Sequence, residues 1–387
     1  MSRRDALRGT RVGRALRQAR VTARDVARTA RDARRWAAIA RAPRPAEGVP
    51  RVSYGRDRIP ARSEPAHGGT VKFQALQDEF PNEPRGFDVL YLGSSTLPAD
   101  SRTLIWLARR RGARVVWNQD GVAYRGWYGD GFENVNRPFA RGLHEADHVF
   151  FQSEFCKLSA DRFLGKREGP WEILYNPVDV ERFTPAPAGR ARELTVLLGG
   201  NQYQRYRFES AARAFAIMAR ERGDARLLVS GRLSWTQADD PPEAERTARS
   251  LVEQLGIAER VEFVGAYVQD DAPALMRRAD LLLHTKYNDP CPGVVLEAMA
   301  SGLPVVYSAS GGVPELVGAD AGIGIGAPLD FEHDHPPDPE ALAAAVLTVA
   351  ERLDDFGEAA RRRAVERFDV RAWVQRHREL FGELSDR

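Results

Sequence analysis

Short apolar runs alternate with longer amphipathic stretches along most of this 387-residue chain, and the alternation occurs twice. In the first half "RVSYG", "FDVLYLGSS", "ARVVWNQDG", "HVFFQS" and "WEILYNPVD" read as strands, separated by helical patterns such as "ADSRTLIWLARRRG". A Pro-rich, charged boundary, "ERFTPAPAGRARE", follows. The second half repeats the plan with "LTVLLGG", "ARLLVSG", "RVEFVGAY", "DLLLHT" and "PVVY" as strands and "FESAARAFAIMARER" and "AERTARSLVEQLGI" as helices. Such alternation buries parallel strands under helices on both faces. It predicts an α/β protein of two facing Rossmann-like domains, with ligands at the carboxyl ends of the strands in the cleft between them. The expected units are a basic helical tail and linker (1–48), a first Rossmann-like domain (49–185) and a second one (186–368). A C-terminal helix (369–387) is expected to pack back on the first domain.

The chain is long enough for two ordinary cores. No apolar run approaches the ~20 residues that cross a bilayer. "WAAIA" at Trp36–Ala40 is too short and is flanked by arginine, and it does not fit a signal peptide either. Two cysteines, Cys156 and Cys291, argue against a disulfide framework and for a reducing compartment, by default the cytoplasm. The net charge of +3 is unevenly spread. Residues 1–44 carry fourteen Arg against Asp5, Asp25 and Asp32, leaving an acidic body. That is not the pattern of a nucleic-acid-binding fold. It suits a tether to an anionic surface, such as the inner face of a membrane, or a tail that folds back on its own body. Arg14, Arg17, Arg20, Arg24, Arg28, Arg31 and Arg35 share one face of the predicted helix, and the opposite face is mostly alanine.

The segment "NDPCPGVVLEAMASGLPVV" (288–306) carries the strongest chemical signal. Pro292 suits the first position of a short helix, Gly302 the residue just past its end, and Pro304 forbids continuation. Asp289 then lies in the feeding loop and Glu297 inside the helix. The backbone N–H groups of Gly293, Val294 and Val295 are helix-start donors between the two acids, which suits a phosphate-and-hydroxyl site. "HGG" (67–69) reads as a loop where the backbone at Gly68 and Gly69 approaches a phosphate or sugar. "GIGIGA" (322–327) lacks the spacing and following helix of a dinucleotide loop. "EHDHPPD" (332–338) reads as a solvated, Pro-rich loop with no metal. No nucleophile–His–acid or zinc-protease spacing is present.

The stretch "YNDPCPGVVLEAMASGLPVVYSASGGVPELV" resembles the donor-binding segment of family 4 (group 1) retaining glycosyltransferases. Their signature is two acids separated by seven residues, then "EAMA-GxPVV" and "GGxPE". "RVEFVGAYVQDDAPALMRRADLLLHT" and "LYNPVDVERFTP" extend the likeness over about Asn176 to Val317. The resemblance implies the GT-B fold, with an acceptor-side first domain and a donor-side second domain. It implies transfer of a sugar from a nucleotide-diphosphate donor with retention, by front-face attack. No cofactor or metal is implied. Glu297 would accept hydrogen bonds from both ribose hydroxyls and Asp289 would meet donor-sugar hydroxyls. The amides at Gly293–Val295 would receive the diphosphate, and Tyr267 would sit by the base.

Three departures qualify the match. The first acid is Asp where Glu is usual, and the glycine follows it by four residues rather than three. The family's Arg and Lys for the leaving group are absent from "GGNQYQRYRFES", which leaves Arg205 and Arg207 as candidates. "NQDG" (118–121) stands where many relatives have an acceptor-side His, so Gln119 and Asp120 become candidates there. The acceptor implied is a growing polysaccharide or lipid-linked glycan. Competing readings are a non-catalytic sugar-nucleotide binder, an epimerase with His284 as base, and a phosphorylase with Lys286 holding its cofactor.

Overall fold

The computed structural model describes residues 29–43, 48, 50–66, 68–187, 193–235 and 241–385. It contains two parallel sheets flanked by helices, as the alternation requires. The first has five strands in the order β1-β2-β3-β4-β5: Val52–Ser53, Val89–Gly93, Arg114–Gln119, His148–Phe151 and Trp171–Ile173. The second has six in the order β11-β10-β9-β6-β7-β8. These are Thr195–Leu198 (β6), Arg226–Ser230 (β7), Val261–Gly265 (β8), Leu281–His284 (β9), Val305–Ala309 (β10) and Gly322–Gly326 (β11). The strand order reverses at β6, which opens a crevice between β6 and β9 at their carboxyl ends.

The first sheet does not reverse, and that has a structural cost. The helices Ser101–Arg110, Phe132–Glu145 and Glu154–Phe163, which connect β2 to β5, pack on one face in a core with Leu90, Leu92, Val115 and Trp117. The residues that alternate with them, Val89, Tyr91 and Val116, point the other way. That second face is covered by Phe73 and by the C-terminal helix Val370–Ser385, through Trp373, Leu380, Phe381 and Leu384. His377 is fully buried there. Burial pushes its pKa down to about 3, so the ring is neutral. Its Nδ1–H donates to the Trp373 carbonyl (2.8 Å) and its Nε2 accepts from the Tyr91 hydroxyl (3.0 Å). Arg376 adds a bidentate pair with Glu172 (2.9–3.2 Å).

The chain therefore crosses between domains twice, and the crossings pair with each other. Val178 N–H donates to Phe368 O (2.8 Å) and Val370 N–H to Val178 O (3.0 Å). The second core gathers the helix Arg205–Glu221 and the helix Pro339–Ala350 over β6, β7 and β9.

Part of the basic tail lies on the body. Residues 29–41 are helical, Ile39 is buried in the first core, and Trp36 Nε1 donates to Asp100 (2.9 Å). Arg35, expected in the outward stripe, instead pairs with Asp57 and Asp100. The narrow alanine face expected for this helix is here an anchoring face built by Trp36 and Ile39. Arg14, Arg17, Arg20, Arg24 and Arg28 lie outside the described residues.

Removing the Phe381 ring, which meets Phe80 and Tyr91 at centroid distances of 5.1 and 5.8 Å, should cost about 3–5 kcal/mol of stability. Urea unfolding of Phe381→Ala should show the first domain melting well below its wild-type midpoint. An unchanged midpoint would mean that the C-terminal helix does not support the sheet.

Candidate active site

The site helix is Gly293–Ala300, one residue later than the sequence suggests, because Pro292 is its N-cap in extended conformation. Gly302 (φ +75°) follows the C-cap Ser301, as expected. Of the three candidate donors, Val295 N–H already bonds Pro292 O (3.2 Å). Among the described residues, the N–H groups of Gly293 and Val294 have no acceptor within the protein, and two free amides remain at the positive helix end.

Asp289 and Glu297 lie in different electrostatic settings. Asp289 is 8% exposed; its Oδ1 accepts from Lys286 Nζ (2.9 Å) and its Oδ2 from His284 Nε2 (3.1 Å). Burial raises its pKa, but Lys286, the His284 bond and nearby Arg207 outweigh that and hold it far below the usual range. Asp289 is therefore held as a carboxylate. Burial depresses the pKa of His284 despite its carboxylate partner, so the ring donates as a neutral imidazole. At Glu297 burial prevails and raises the pKa, with Gln269 Nε2 the donor to its Oε1 (2.8 Å). Tyr267 is half-buried beside it, and burial followed by the charge of Glu297 raises its phenol pKa.

Arg205 and Arg207 are separated by the helix they start. Arg207 is 6% exposed and turned inward, its Nε has no hydrogen-bond partner among the described residues, and Asp289 is the strongest opposing charge on it. Arg205 points outward and pairs with Glu209 (2.8 Å). The geometry brings Arg207 to the site and leaves Arg205 away from it.

The first domain meets this loop closely. Ser153 caps the helix Glu154–Phe163 by accepting from Cys156 N–H (3.1 Å), and donates to Pro290 O (2.7 Å). Asn176 Nδ2 donates to Cys291 O (2.8 Å) and to Gln152 Oε1 (2.8 Å). Glu315, from the "GGVPE" motif, accepts from the N–H groups of Glu154 and Phe155 (2.8 and 2.9 Å) at that same helix start. Asn288 is the only non-glycine residue with positive φ (+50°) among the described residues. Gly311 (φ +66°) sits so close behind the loop that a Cβ would overlap Asp289 backbone atoms.

Asp120 proves to be an organising carboxylate. It is 7% exposed and accepts from the hydroxyls of Ser94 and Ser95, from Ser95 N–H (2.9 Å) and from Lys72 Nζ (3.3 Å). Burial pushes its pKa up, but Lys72 and these donors prevail and keep it ionised. Lys72 also bonds Asn118 (2.7 Å). Gln119 is buried, holding Trp117 Nε1 (2.8 Å). Gly68 and Gly69, expected in a loop, open the helix Gly68–Ala75, and Gly69 lies where a Cβ would strike Ser95 Oγ. Lys72 carried no signal in the sequence, since a lone lysine on a short helix reads as a solvated one. A cavity of about 620 Å³ lies beside the loop, lined by Lys157, Ser310, Glu315 and Leu329, and meets the Asp289 loop at Asn288 and Gly311. Among the described residues no group of three or more His, Cys, Asp or Glu side chains could hold a metal ion.

Two facing α/β domains with a helix start, two acids and a buried cation at the cleft define a GT-B architecture. The solved structures agree. The sucrose-phosphate synthase of Thermosynechococcus elongatus superposes with a TM-score of 0.63 at 20% identity, covering 81% of this chain and 77% of that one. HepE from Anabaena, in complex with UDP and glucose, gives 0.61 at 19% identity, covering 77% and 78%. Residues 193–352 match the family described as Glycosyl transferases group 1. D-inositol 3-phosphate glycosyltransferase 2 of Catenulispora acidiphila is 33% identical over 211 residues, 51% of this chain and 47% of that protein. The 2-deoxystreptamine N-acetyl-D-glucosaminyltransferase of Streptomyces fradiae is 36% identical over 111 residues, 29% and 26% of the two chains. The chain spans about half the length or less of the curated relatives it matches.

Gly311→Ala should displace the Asp289 loop while leaving both cores intact. Nucleotide-sugar affinity or turnover should fall at least tenfold with a near-normal circular dichroism spectrum. Wild-type behaviour would show that the loop tolerates movement.

Proposed function

We propose that this chain is a retaining glycosyltransferase that moves a hexosyl group from a nucleotide-diphosphate sugar to a glycan or lipid-linked acceptor. The observation that carries this reading is the arrangement around the site helix. Two free amides lie between an ionised, immobilised Asp289 and a half-buried Glu297, with Arg207 and Lys286 alongside. Glu297 offers two oxygens for the ribose hydroxyls, and a ligand there would replace desolvation by hydrogen bonds. Arg207, Lys286 and the Gly293 and Val294 amides meet the negative charge that builds on the departing diphosphate. Asp289 is committed to Lys286 and His284, which suits orientation of sugar hydroxyls rather than nucleophilic attack. The acceptor oxygen bonds to the anomeric carbon on the face the diphosphate leaves, and its proton passes to a leaving phosphate oxygen. Asp120 is saturated by its own partners, so its role is to fix Lys72, Ser94 and Ser95 at the acceptor side.

Incubation with a panel of nucleotide sugars should release a nucleoside diphosphate with one of them and leave the sugar on an acceptor with retained configuration. Glu297→Ala should weaken binding of that donor's nucleoside diphosphate at least tenfold, since a charged hydrogen-bonded group is worth about 1.5–3 kcal/mol. Binding without any transfer would make the chain a sugar-nucleotide binder, and an unchanged affinity in Glu297→Ala would remove Glu297 from the ribose.

A role in surface polysaccharide assembly and attachment to an anionic cytoplasmic membrane face belong to the same proposal. Cys156 and Cys291 are buried free thiols whose pKa values burial raises, a state suited to a reducing compartment. Among the described residues no helix is long and apolar enough to cross a membrane. The arginines before Thr29 supply the electrostatic attraction, each near the surface adding about 1 kcal/mol. Full-length protein should float with liposomes containing acidic lipid at low salt and release at high salt. A version beginning at Thr29, which keeps the docked Trp36 and Ile39, should not float; equal flotation would assign the contact elsewhere.

A further inference from the structure

Connections between strands and helices in α/β folds usually take two to six residues. After β11 this chain instead spends Ala327 to Asp338 before the helix that starts at Pro339. The sequence suggests a solvated loop, but the segment is a strap joining the two domains. Phe331 is 1% exposed and sits in the first domain's core, its ring 5.2 Å from Tyr124 and 5.1 Å from Phe163. Gly126 N–H donates to Phe331 O (2.9 Å), and Arg125 pairs with Glu332 (3.5 Å). On the second domain, Asn288 Nδ2 donates to Asp330 O (2.8 Å), and Tyr287 OH donates to Pro328 O.

Beyond its tip the strap brings Asp334 to the start of the helix that carries Arg207. Gln204 Nε2 donates to its carboxylate. Lys286, Arg207 and His335 exert attractive fields on it, and Tyr124, Tyr206 and Tyr287 lie within its own. Burial prevails over the cations and pushes its pKa up to about 6. With Asp334 ionised, Arg207 and Lys286 are balanced by Asp289 and Asp334, and an incoming diphosphate meets no net positive charge. With Asp334 neutral or withdrawn, one positive charge is left over.

We propose that Asp334 is an internal counter-ion of the donor's diphosphate site, balancing Arg207 and Lys286 in the free protein and giving way, by protonation or withdrawal, when a nucleoside diphosphate binds. Its premise is the assignment of Arg207 and Lys286 to the diphosphate. The sign of the pH effect follows. Below pH 6 the Asp334 carboxyl is neutral and imposes nothing on binding. Above pH 6 it is charged, and binding must take up a proton or move it.

The test is calorimetric titration of the full-length protein with UDP, GDP and inorganic pyrophosphate, separately, at pH 5 and pH 8. Asp334→Asn keeps the shape and a partner for Gln204. At pH 8 it should bind at least five-fold more tightly than wild type, with the advantage falling below two-fold at pH 5. Asp334→Ala should move affinity in the same direction. Wild type should take up more protons than Asp334→Asn on binding at pH 7, measured in two buffers of different ionisation enthalpy. Glu340→Gln, which removes an exposed carboxylate in the first turn of the helix Pro339–Ala350, beyond the strap, is the control and should leave affinity unchanged. Equal or weaker binding by both Asp334 variants at pH 8 overturns the proposal, as does an equal gain in Glu340→Gln. Nucleotide binding that is indifferent to residue 334 sinks this inference alone. Failure of all three probes to bind any version sinks the diphosphate site as well.

Discussion

A parallel sheet has two apolar faces and must cover both. In the first domain the helices connecting β2 to β5 lie on one face only, so Val89, Tyr91 and Val116 need a cover from elsewhere. The C-terminal helix supplies it with Trp373, Leu380 and Phe381, and His377 is buried neutral to close the hydrogen bond to Tyr91. To reach that face the chain must cross back from the second domain, beside the first crossing at Val178. The relative placement of the domains follows from that return, and with it the approach of Ser153 and Asn176 to the carbonyls of Pro290 and Cys291.

That approach controls the chemistry of the cleft. The Asp289 loop is held by the second domain through Lys286, His284 and Gly311, and by the first through Ser153 and Asn176. A hydrogen-bonded path runs from His377 through Tyr91, Asn118, Gln152 and Asn176 to Cys291 O, so the sheet's cover and the donor loop share one polar network. Each link fixes the orientation of the next, although Asn176 Oδ1 has no hydrogen-bond partner among the described residues. In the proposed reaction, preorganisation of this kind would let fixed donors and charges act on a leaving group without reorganising.

The charge pattern divides by function. Asp120 and Asp289 are buried acids kept ionised by close cations, and both orient their neighbours. Glu297 and Asp334 are carboxyls whose pKa values burial raises, each with an uncharged amide as its only hydrogen-bond donor among the described residues, Gln269 and Gln204 respectively. In the proposed assignment, a ligand that brings hydroxyls gains at Glu297, and one that brings phosphates must contend with Asp334. On the proposed reading, affinity at this cleft is a balance between groups on the second domain and a strap anchored in the first.

The sequence by itself determined the two parallel sheets, through period-two apolar runs alternating with helical stretches. It also determined the site helix, through Pro292, Gly302 and Pro304, and the positions of Asp289 in the loop before it and Glu297 within it. These are local features, set by backbone chemistry within a few residues. Arg205 and Arg207 looked equivalent in sequence, and only packing turned Arg207 inward and left Arg205 with Glu209. Lys72 became a buried cation because Asn118 and Asp120, more than forty residues away, offered it partners. "EHDHPPD" had the composition of a solvated loop. The Phe331 side chain just before it found a vacancy among aromatics of the other domain, and that contact drew Asp334 to the cleft. Composition and periodicity report which face of an element is apolar. Which distant surface will cover that face, and which charges it then brings together, depends on contacts between domains that no local pattern encodes.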